Sequence, residues 1–426
     1  MKFICAVVFA SLLFPFAETA ARAQEFPTTS RLVQLADLLA EAERSNPQIQ
    51  SARHGWDSMK QVPTQVSTLP DPQFVLQHMS VGSPRPFAGY TNSDFAYVGL
   101  GVSQDLPYPG KLRLRGEIAR KDAEVTQQKY ESVLRTVQSE VKATFFQLSY
   151  LSKRQATLEG DGQLLEQIEQ AAEARYRNGL GSQQEVLQSQ LERTKLLREI
   201  TMNQLEVGKV QAEMKQILNR QQSSPDIEIA DLSETTSAYT YDQLLAAAKL
   251  NNPEIAGAQK MIEKQGLHVE LAKKDFYPDF NLQYMWQRTD PARFRAYYSV
   301  TLGVRIPIYR GRRQQPELAQ AEADQNQAKS DFETQTQQIA FQLRQQFLSA
   351  EKSGELLKIY RDGLMPQARA ELEAGMASYQ SNRQDFQALL ASFLDVLKFD
   401  EEYWQTISEH ETAWAQIEQI TGLSLR

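Results

Sequence analysis

Beyond its first 23 residues the 426-residue sequence contains no cysteine, because the single one, Cys5, lies near the start. Disulfide, thiolate and cysteine–metal chemistry are thereby excluded from the rest of the chain. Histidine is nearly as scarce: His54, His78, His268 and His410 are dispersed without ligand spacing, and the nine methionines are scattered. No metal site is expected from them. No later run of about 18 apolar residues occurs, so no transmembrane helix is expected. An excess of positive charge is also missing, with 46 Lys and Arg against 53 Asp and Glu and a net charge of -7, which argues against a nucleic-acid partner. Paired catalytic acids, a nucleophile–base constellation and a phosphate loop are absent too. Gly99-x-Gly101 lies in a strand-like stretch and opens no helix, so it is no dinucleotide fingerprint. Neither an enzyme nor a cofactor is expected.

What the first 23 residues do contain is an export signal. Lys2 is a charged n-region, Phe3 to Phe16 an apolar region interrupted by Ser11 and Pro15, and Ala21-Arg22-Ala23 a small-x-small cleavage site. Residues 1–23 therefore read as a secretory signal peptide, their apolar run being short for a membrane anchor. A lipid-attachment cysteine would follow the apolar region, which Cys5 does not, so no lipid anchor is expected. The mean hydropathy of -0.50 is polar for a 48.4 kDa chain. Stretches rich in glutamine, glutamate and alanine account for this, as long helices with narrow apolar stripes require.

The sequence repeats itself once, at a period of about 200 residues, too long for a solenoid of small units. Asn46-Pro47 answers to Asn252-Pro253, Pro70-Asp71 to Pro278-Asp279, and Leu100-Gly101-Val102 to Leu302-Gly303-Val304. Further on, Val137, Val141 and Phe145 answer to Ile339, Leu343 and Phe347, Tyr176 to Tyr379, and Leu187 and Leu191 to Leu390 and Leu394. The conserved order of these matches makes coincidence improbable. A first repeat is thus expected over 24–219 and a second over 241–426, joined by a polar connector over 220–240.

Each repeat carries two candidate strands and one long helical hairpin. The strands are expected at about 74–82 and 95–107, then 280–287 and 297–307. Val98, Leu100 and Val102 alternate with Gly99, Gly101 and Ser103; Leu282, Tyr284 and Trp286 alternate with Gln283, Met285 and Gln287. Alternation alone fits any half-buried sheet, soluble sandwiches included. Strand length near that of a tilted membrane crossing, aromatic residues at the strand ends and very long flanking helices favour a membrane sheet. From Lys111 to Asn178 no proline interrupts, which gives a helix on the order of 100 Å at ~1.5 Å per residue. Its turn is Asn178-Gly179-Leu180-Gly181-Ser182, with Ser182 as the cap of the return helix. The second hairpin turns at Ser381-Asn382-Arg383-Gln384 with Asp385 as cap, and Pro366 is expected to kink its long arm. Narrow stripes on such paired helices imply coiled-coil-like packing.

Four strands cannot close a barrel, and an open sheet edge in lipid leaves backbone groups unpaired. Other copies of the chain must supply the rest. Two copies give eight strands, whose interior side chains fill; three give twelve and leave a lumen.

With Asn46-Pro47, Asn252-Pro253, Leu100 to Pro107 and Tyr176 to Ser182 followed by Val186-Leu187, the chain resembles the TolC-like outer-membrane factors over its whole exported length. Leu69-Pro70-Asp71-Pro72 and Tyr108-Pro109-Gly110-Lys111 look most like the heavy-metal-efflux branch, although such strings also serve simply as turns. The resemblance implies a mainly α protein with a small β part. It implies a homotrimer whose 12-stranded barrel in the outer membrane of a Gram-negative bacterium continues into a periplasmic α-helical barrel. Its function would be the exit duct of a tripartite efflux system, gated at the helix tips. Its partners would be outer-membrane lipid, a periplasmic adaptor and, through the adaptor, an inner-membrane pump. The adaptor-contact residues would be Asn178, Gly179, Leu180, Gly181, Ser182, Ser381, Asn382, Arg383 and Gln384. Family members often carry an acidic ring just above the second turn; Phe386 to Ala391 contains no acid, leaving Glu185 and Asp385 as candidate gate residues. Both also read as ordinary helix-start carboxylates. The alternative, a soluble periplasmic coiled-coil adaptor, would typically carry one hairpin and a lipoyl-like β domain, whereas this chain has two hairpins and no such domain.

Overall fold

The computed structural model describes residues 33–80, 96–229, 234–235, 238–289 and 295–425. The expected signal peptide at 1–23 and the expected strand ends at 81, 82 and 95 lie outside these residues. The chain is mainly helical with one small antiparallel sheet. In the first half, α1 (Leu35–Ser45), α2 (Pro47–Met59) and α3 (Val62–Ser67) lead into β1 (Gln73–Met79) and β2 (Tyr97–Leu106). Then come α4 (Lys111–Arg177) and its return, α5 (Gln183–Ile217). The second half runs α6 (Tyr241–Asn251), α7 (Pro253–Lys274), β3 (Asp279–Arg288), β4 (Tyr297–Arg305) and α8 (Gln314–Ile359). A π-helical turn at Tyr360–Leu364 joins α8 to α9 (Met365–Gln380), and α10 (Phe386–Thr421) returns.

Local chemistry explains the breaks. Asn46 ends α1 and caps α2, its side-chain oxygen accepting from the backbone N–H of Gln48 and Ile49 at 2.8 and 3.3 Å. Asn252 repeats this with Glu254 and Ile255 at 2.9 and 3.3 Å. The proline that follows each occupies the first helical position, where a missing N–H costs nothing. The kink expected at Pro366 takes the form of the π-helical turn just before it. Proline offers no N–H to the carbonyl four residues back, and the wider turn shifts the bonding register around that gap.

Two matching cores hold the middle of the molecule. Leu38, Ala42 and Ile49 pack on Val137, Val141, Phe145, Met214 and Leu218. Leu244, Ala248 and Ile255 pack on Ile339, Leu343, Ala350 and Ile417. Burying each such side chain contributes roughly 1.5–3 kcal/mol. Toward the tips, α5 packs along α4, α4 on α10, and α10 on α9. That order leaves α5 at one edge of the helical layer and α8–α9 at the other. A third core there joins Leu158, Leu165, Ile168 and Ala172 of α4 to Leu372, Tyr379, Leu389, Leu390 and Phe393. Between the halves, Gln211 exchanges two hydrogen bonds with the backbone of Ile227. Farther along, Thr235 donates to the Glu411 carboxylate of α10 from both its N–H and its hydroxyl.

Candidate functional site

The sheet runs β1-β2-β3-β4, antiparallel throughout, although β2 and β3 come from different halves of the chain. Its register collects the apolar residues on one face. Leu76 stands opposite Leu100, Leu100 opposite Trp286, and Trp286 opposite Tyr298. A second row runs Phe74, Val102, Tyr284 and Val300. These side chains are largely uncovered: Phe74 is 87% exposed, Tyr298 70% and Leu302 64%. The other face carries Gly99, Gly101, Ser103, Asn281, Gln283, Thr301 and Gly303, and Asn281 donates to Ser103 and Asp105. An apolar exposed face backed by a polar one is the pattern of a membrane strand sheet. Both outer strands, β1 and β4, have one unpaired edge.

Where the sheet meets the helices, Lys111 is 3% exposed and lies 2.9 Å from both Asp275 and Asp279. Asp279 also accepts from the backbone N–H of Tyr108, whose ring stacks on Tyr277 with centroids 4.6 Å apart. The Tyr-Pro-Gly-Lys string of the first half and the Pro-Asp string of the second thus form one joint. Gly110 opens α4 at φ 92, a conformation that glycine adopts without strain.

At the opposite end lie the two tips. In the first, Asn178 ends α4, Gly179 takes φ 70, and the N–H groups of Leu180 and Gly181 return to the carbonyl of Arg175. Ser182 and Glu185 form a reciprocal capping box at the start of α5. Leu180 is 59% exposed. In the second tip Ser381 ends α9, Asn382 takes φ 60, and the N–H of Arg383 returns to Ser378. Asn382 thus occupies the left-handed position that Gly179 fills in the first tip; asparagine tolerates it. Gln384 lies against Gly375, and Asp385 caps α10 by accepting from Ala388 N–H at 2.7 Å.

The two tips are tied together. Arg175 donates to the carbonyl of Tyr379 at 2.6 Å, to the side-chain oxygen of Asn382 at 2.7 Å and to the carbonyl of Leu180 at 3.1 Å. Its guanidinium also lies over the Tyr379 ring, 4.5 Å from the centroid. The Tyr379 hydroxyl donates to Glu185 at 2.6 Å. Burial, and then the neighbouring Glu185 carboxylate, raise the Tyr379 phenol above its ordinary range, so it remains a donor. One helical turn above, Gln188 and Gln387 exchange amide hydrogen bonds.

Of the residues singled out by sequence, Glu185, Leu180 and Asn382 therefore meet at one cluster, while Asp385 stays exposed and serves its own helix. Sequence reasoning passed over Arg175 and Tyr379, the centre of that cluster. The repeat offered a partial signal by matching Tyr176 with Tyr379. The two tyrosines diverge, however: Tyr379 is fully buried and Tyr176 is 48% exposed.

Comparison with known proteins places this geometry. The family model described as outer membrane efflux protein matches residues 38–220 and 244–398. No curated protein sequence gives a significant match. Among solved structures the chain is similar to the outer-membrane channel OprN, with TM-score 0.80 and 17% identity over 92% of this chain and 90% of that one. It is similar to the outer membrane protein VceC of Vibrio cholerae, with TM-score 0.77 and 16% identity over 92% and 97%. The CmeC outer membrane channel of Campylobacter jejuni gives TM-score 0.74 and 14% identity over 97% and 94%. At such identities the likeness speaks for the fold, and the family match, which spans most of the chain and both halves, speaks for descent. The chain belongs to the outer membrane efflux protein family.

Proposed function

We propose that three copies of this chain form the passive outer-membrane exit duct of a tripartite efflux system, gated at its helix tips. The observation that carries this reading is the sheet: four strands with an uncovered apolar face and unpaired edges on β1 and β4. In lipid those edges must be sealed, at several kcal/mol per unpaired group. Along the meander β4 runs antiparallel to β1, so β4 of one copy can pair with β1 of the next in the same sense as every other pair.

The helices support the same arrangement. The edge helix α5 exposes Leu187, Leu191, Met202 and Leu205 along one stripe, and α8 at the other edge exposes Phe341, Leu348, Leu356 and Ile359. Complementary stripes on opposite edges suit a head-to-tail ring. Three copies would give twelve strands and a lumen, with the polar strand face inward. The repeats over 24–219 and 241–426, the connector over 220–240 and an export signal over 1–23 complete this reading.

At the far end, Asn178 to Ser182 and Ser381 to Gln384 would meet a periplasmic adaptor, with Leu180 as the exposed apolar contact. Glu185 would act at the gate through Tyr379 and Arg175; Asp385, bound to its own helix start, has no comparable tie. The soluble-adaptor alternative has no support in the family match. The deciding experiment is the mass of the protein extracted from outer membranes in mild detergent, corrected for bound detergent. Three chain masses and channel conductance in a planar bilayer are expected. A monomer in the soluble periplasmic fraction would overturn the proposal.

A further inference from the structure

On the tip side of the molecule, α4 and α9 wall a cavity of about 500 Å³ over a floor of α10, reaching Gln380 at the end of α9. Its apolar lining includes Leu164, Leu372, Met376 and Val396. Three carboxylates also line it: Glu373 of α9, and the two buried ones, Asp161 from α4 and Asp400 from α10, only 8% and 7% exposed. The buried two are not equally satisfied. Arg369 of α9 reaches both oxygens of Asp400, at 2.9 and 2.8 Å. The Oδ2 atom of Asp161, buried from solvent, has no hydrogen-bond partner. Asp161 is thus left with an oxygen that no donor satisfies, beside a cavity whose wall mixes apolar side chains with Gln167, Arg369, Glu373 and Gln380. A buried polar group without a partner is uncommon in native proteins and costs stability, so it calls for an explanation.

We propose that this cavity binds a small organic cation, a primary ammonium on a compact apolar body, with the ammonium on Asp161 and the body against Leu164, Leu372, Met376 and Val396. A metal ion does not suit the site, since among the described residues no group of three or more acidic, histidine or cysteine side chains is gathered to hold one. An anion would meet three carboxylates. A neutral apolar molecule would leave the Asp161 oxygen as it is. The ammonium supplies the missing donors and the missing positive charge together.

The site also binds protons. Burial, then the Asp400 charge, push the Asp161 carboxyl up to about 6, with Arg369 opposing. The titratable groups facing the cavity are Asp161 from α4, Asp400 from α10, and Arg369 and Glu373 from α9. An arriving ammonium displaces whatever proton Asp161 holds, so affinity should rise with pH through that range. The site lies within one chain and does not rest on the ring assembly.

The test is isothermal titration calorimetry of the purified full chain in detergent, with 2-phenylethylammonium as probe and 2-phenylethanol as its neutral counterpart. One saturable site per chain is expected at pH 7.5 for the amine, with none for the alcohol. Binding should weaken roughly tenfold at pH 5 and be lost in Asp161→Asn, a near-isosteric change that removes a buried charge and so should not impair folding. Met376→Trp, which fills the cavity while leaving the carboxylates in place, should also abolish binding. Equal binding of amine and alcohol, or unchanged binding in Asp161→Asn, would overturn the proposal. So would the absence of any binding at millimolar amine, which would leave Asp161 as a proton site alone.

Discussion

The side-chain nitrogen of Asn46 lies 2.8 Å from the carbonyl oxygen of Ile217, so one residue both starts α2 and closes the last turn of α5. Ser45 adds a bond to the carbonyl of Leu218, and Arg220 pairs with both carboxylate oxygens of Glu41. In the second half Asn252 does the same to Ile420 at 3.0 Å. The returning helix of each half thereby abuts the start of that half's second helix, α2 or α7. Asn46→Ala removes a cap worth about 1 kcal/mol and leaves a buried carbonyl unpaired at a further 1–3 kcal/mol. Asn46→Asp keeps the cap but turns a carboxylate oxygen toward the Ile217 carbonyl at a buried position. Thermal melting of the purified protein should place both variants below wild type; equal melting of all three would show that the bond to Ile217 carries no weight.

The tip cluster yields a prediction about conductance. Tyr379→Phe deletes the hydrogen bond to Glu185, of a type worth roughly 1.5–3 kcal/mol, while preserving the ring beneath Arg175. If the tie between the tips holds the duct shut, single-channel recordings should show more frequent or larger openings in this variant. Arg175→Ala, which removes three hydrogen bonds at once, should show a greater effect. Wild-type conductance in both would count against a gate at this place.

Leu180 separates docking from assembly. Leu180→Asp should abolish efflux in cells while outer-membrane levels and oligomer mass stay unchanged, because the residue is mostly exposed and belongs to none of the buried cores. Full retention of efflux would argue that the adaptor contact lies elsewhere.

The two faces of β4 should respond oppositely to charge. Val300→Arg on the apolar face should cost about 2–4 kcal/mol if the residue sits near the bilayer midplane. Thr301→Arg, one residue on and facing the other way, should cost much less. Yield of assembled protein in the outer membrane reads the difference, and equal loss in both variants would contradict the assigned faces.

Asp161 gives the protein a pH dependence of known sign. Its carboxyl rises from 3.8 to about 6 on folding, so between those values the folded chain holds the extra proton. Stability therefore falls as pH rises through that window, by up to about 3 kcal/mol. Asp161→Asn should melt higher than wild type at pH 7.5 and level with it at pH 4. A constant difference at both pH values would mean that this carboxylate is not the source.

Much of the architecture was legible in the chain because it is written in local chemistry. Asn-Pro reads as cap plus first helical residue wherever it stands, and Gly179 and Ser182 mark a helix reversal without reference to neighbours. Alternation along 280–287 and 297–307 told which residues share a face, since side chains on a strand must alternate whatever surrounds them. The second turn at Ser381 to Gln384 was readable for the same reason: asparagine, like glycine, tolerates the left-handed position that Asn382 takes.

The tie of Arg175 to Tyr379 and the meeting of Asp161 with Asp400 and Arg369 at one cavity were not legible. Each joins helices whose residues lie some 200 positions apart, and the repeat even misdirects by equating Arg175 with Ser378 and Glu185 with Ala388. Periodicity says which face of a helix is buried, but not which residue of a distant helix it will meet. That depends on axial register between α4, α9 and α10, which many weak contacts decide together. Strand order is similar: the hairpins β1–β2 and β3–β4 follow from chain proximity, whereas the β2–β3 pair exists because the long helices bring the two halves side by side. Local propensity thus specified the elements, their ends and their faces. Packing over long distances decided which charges meet, and with them the tip tie and the buried carboxylate.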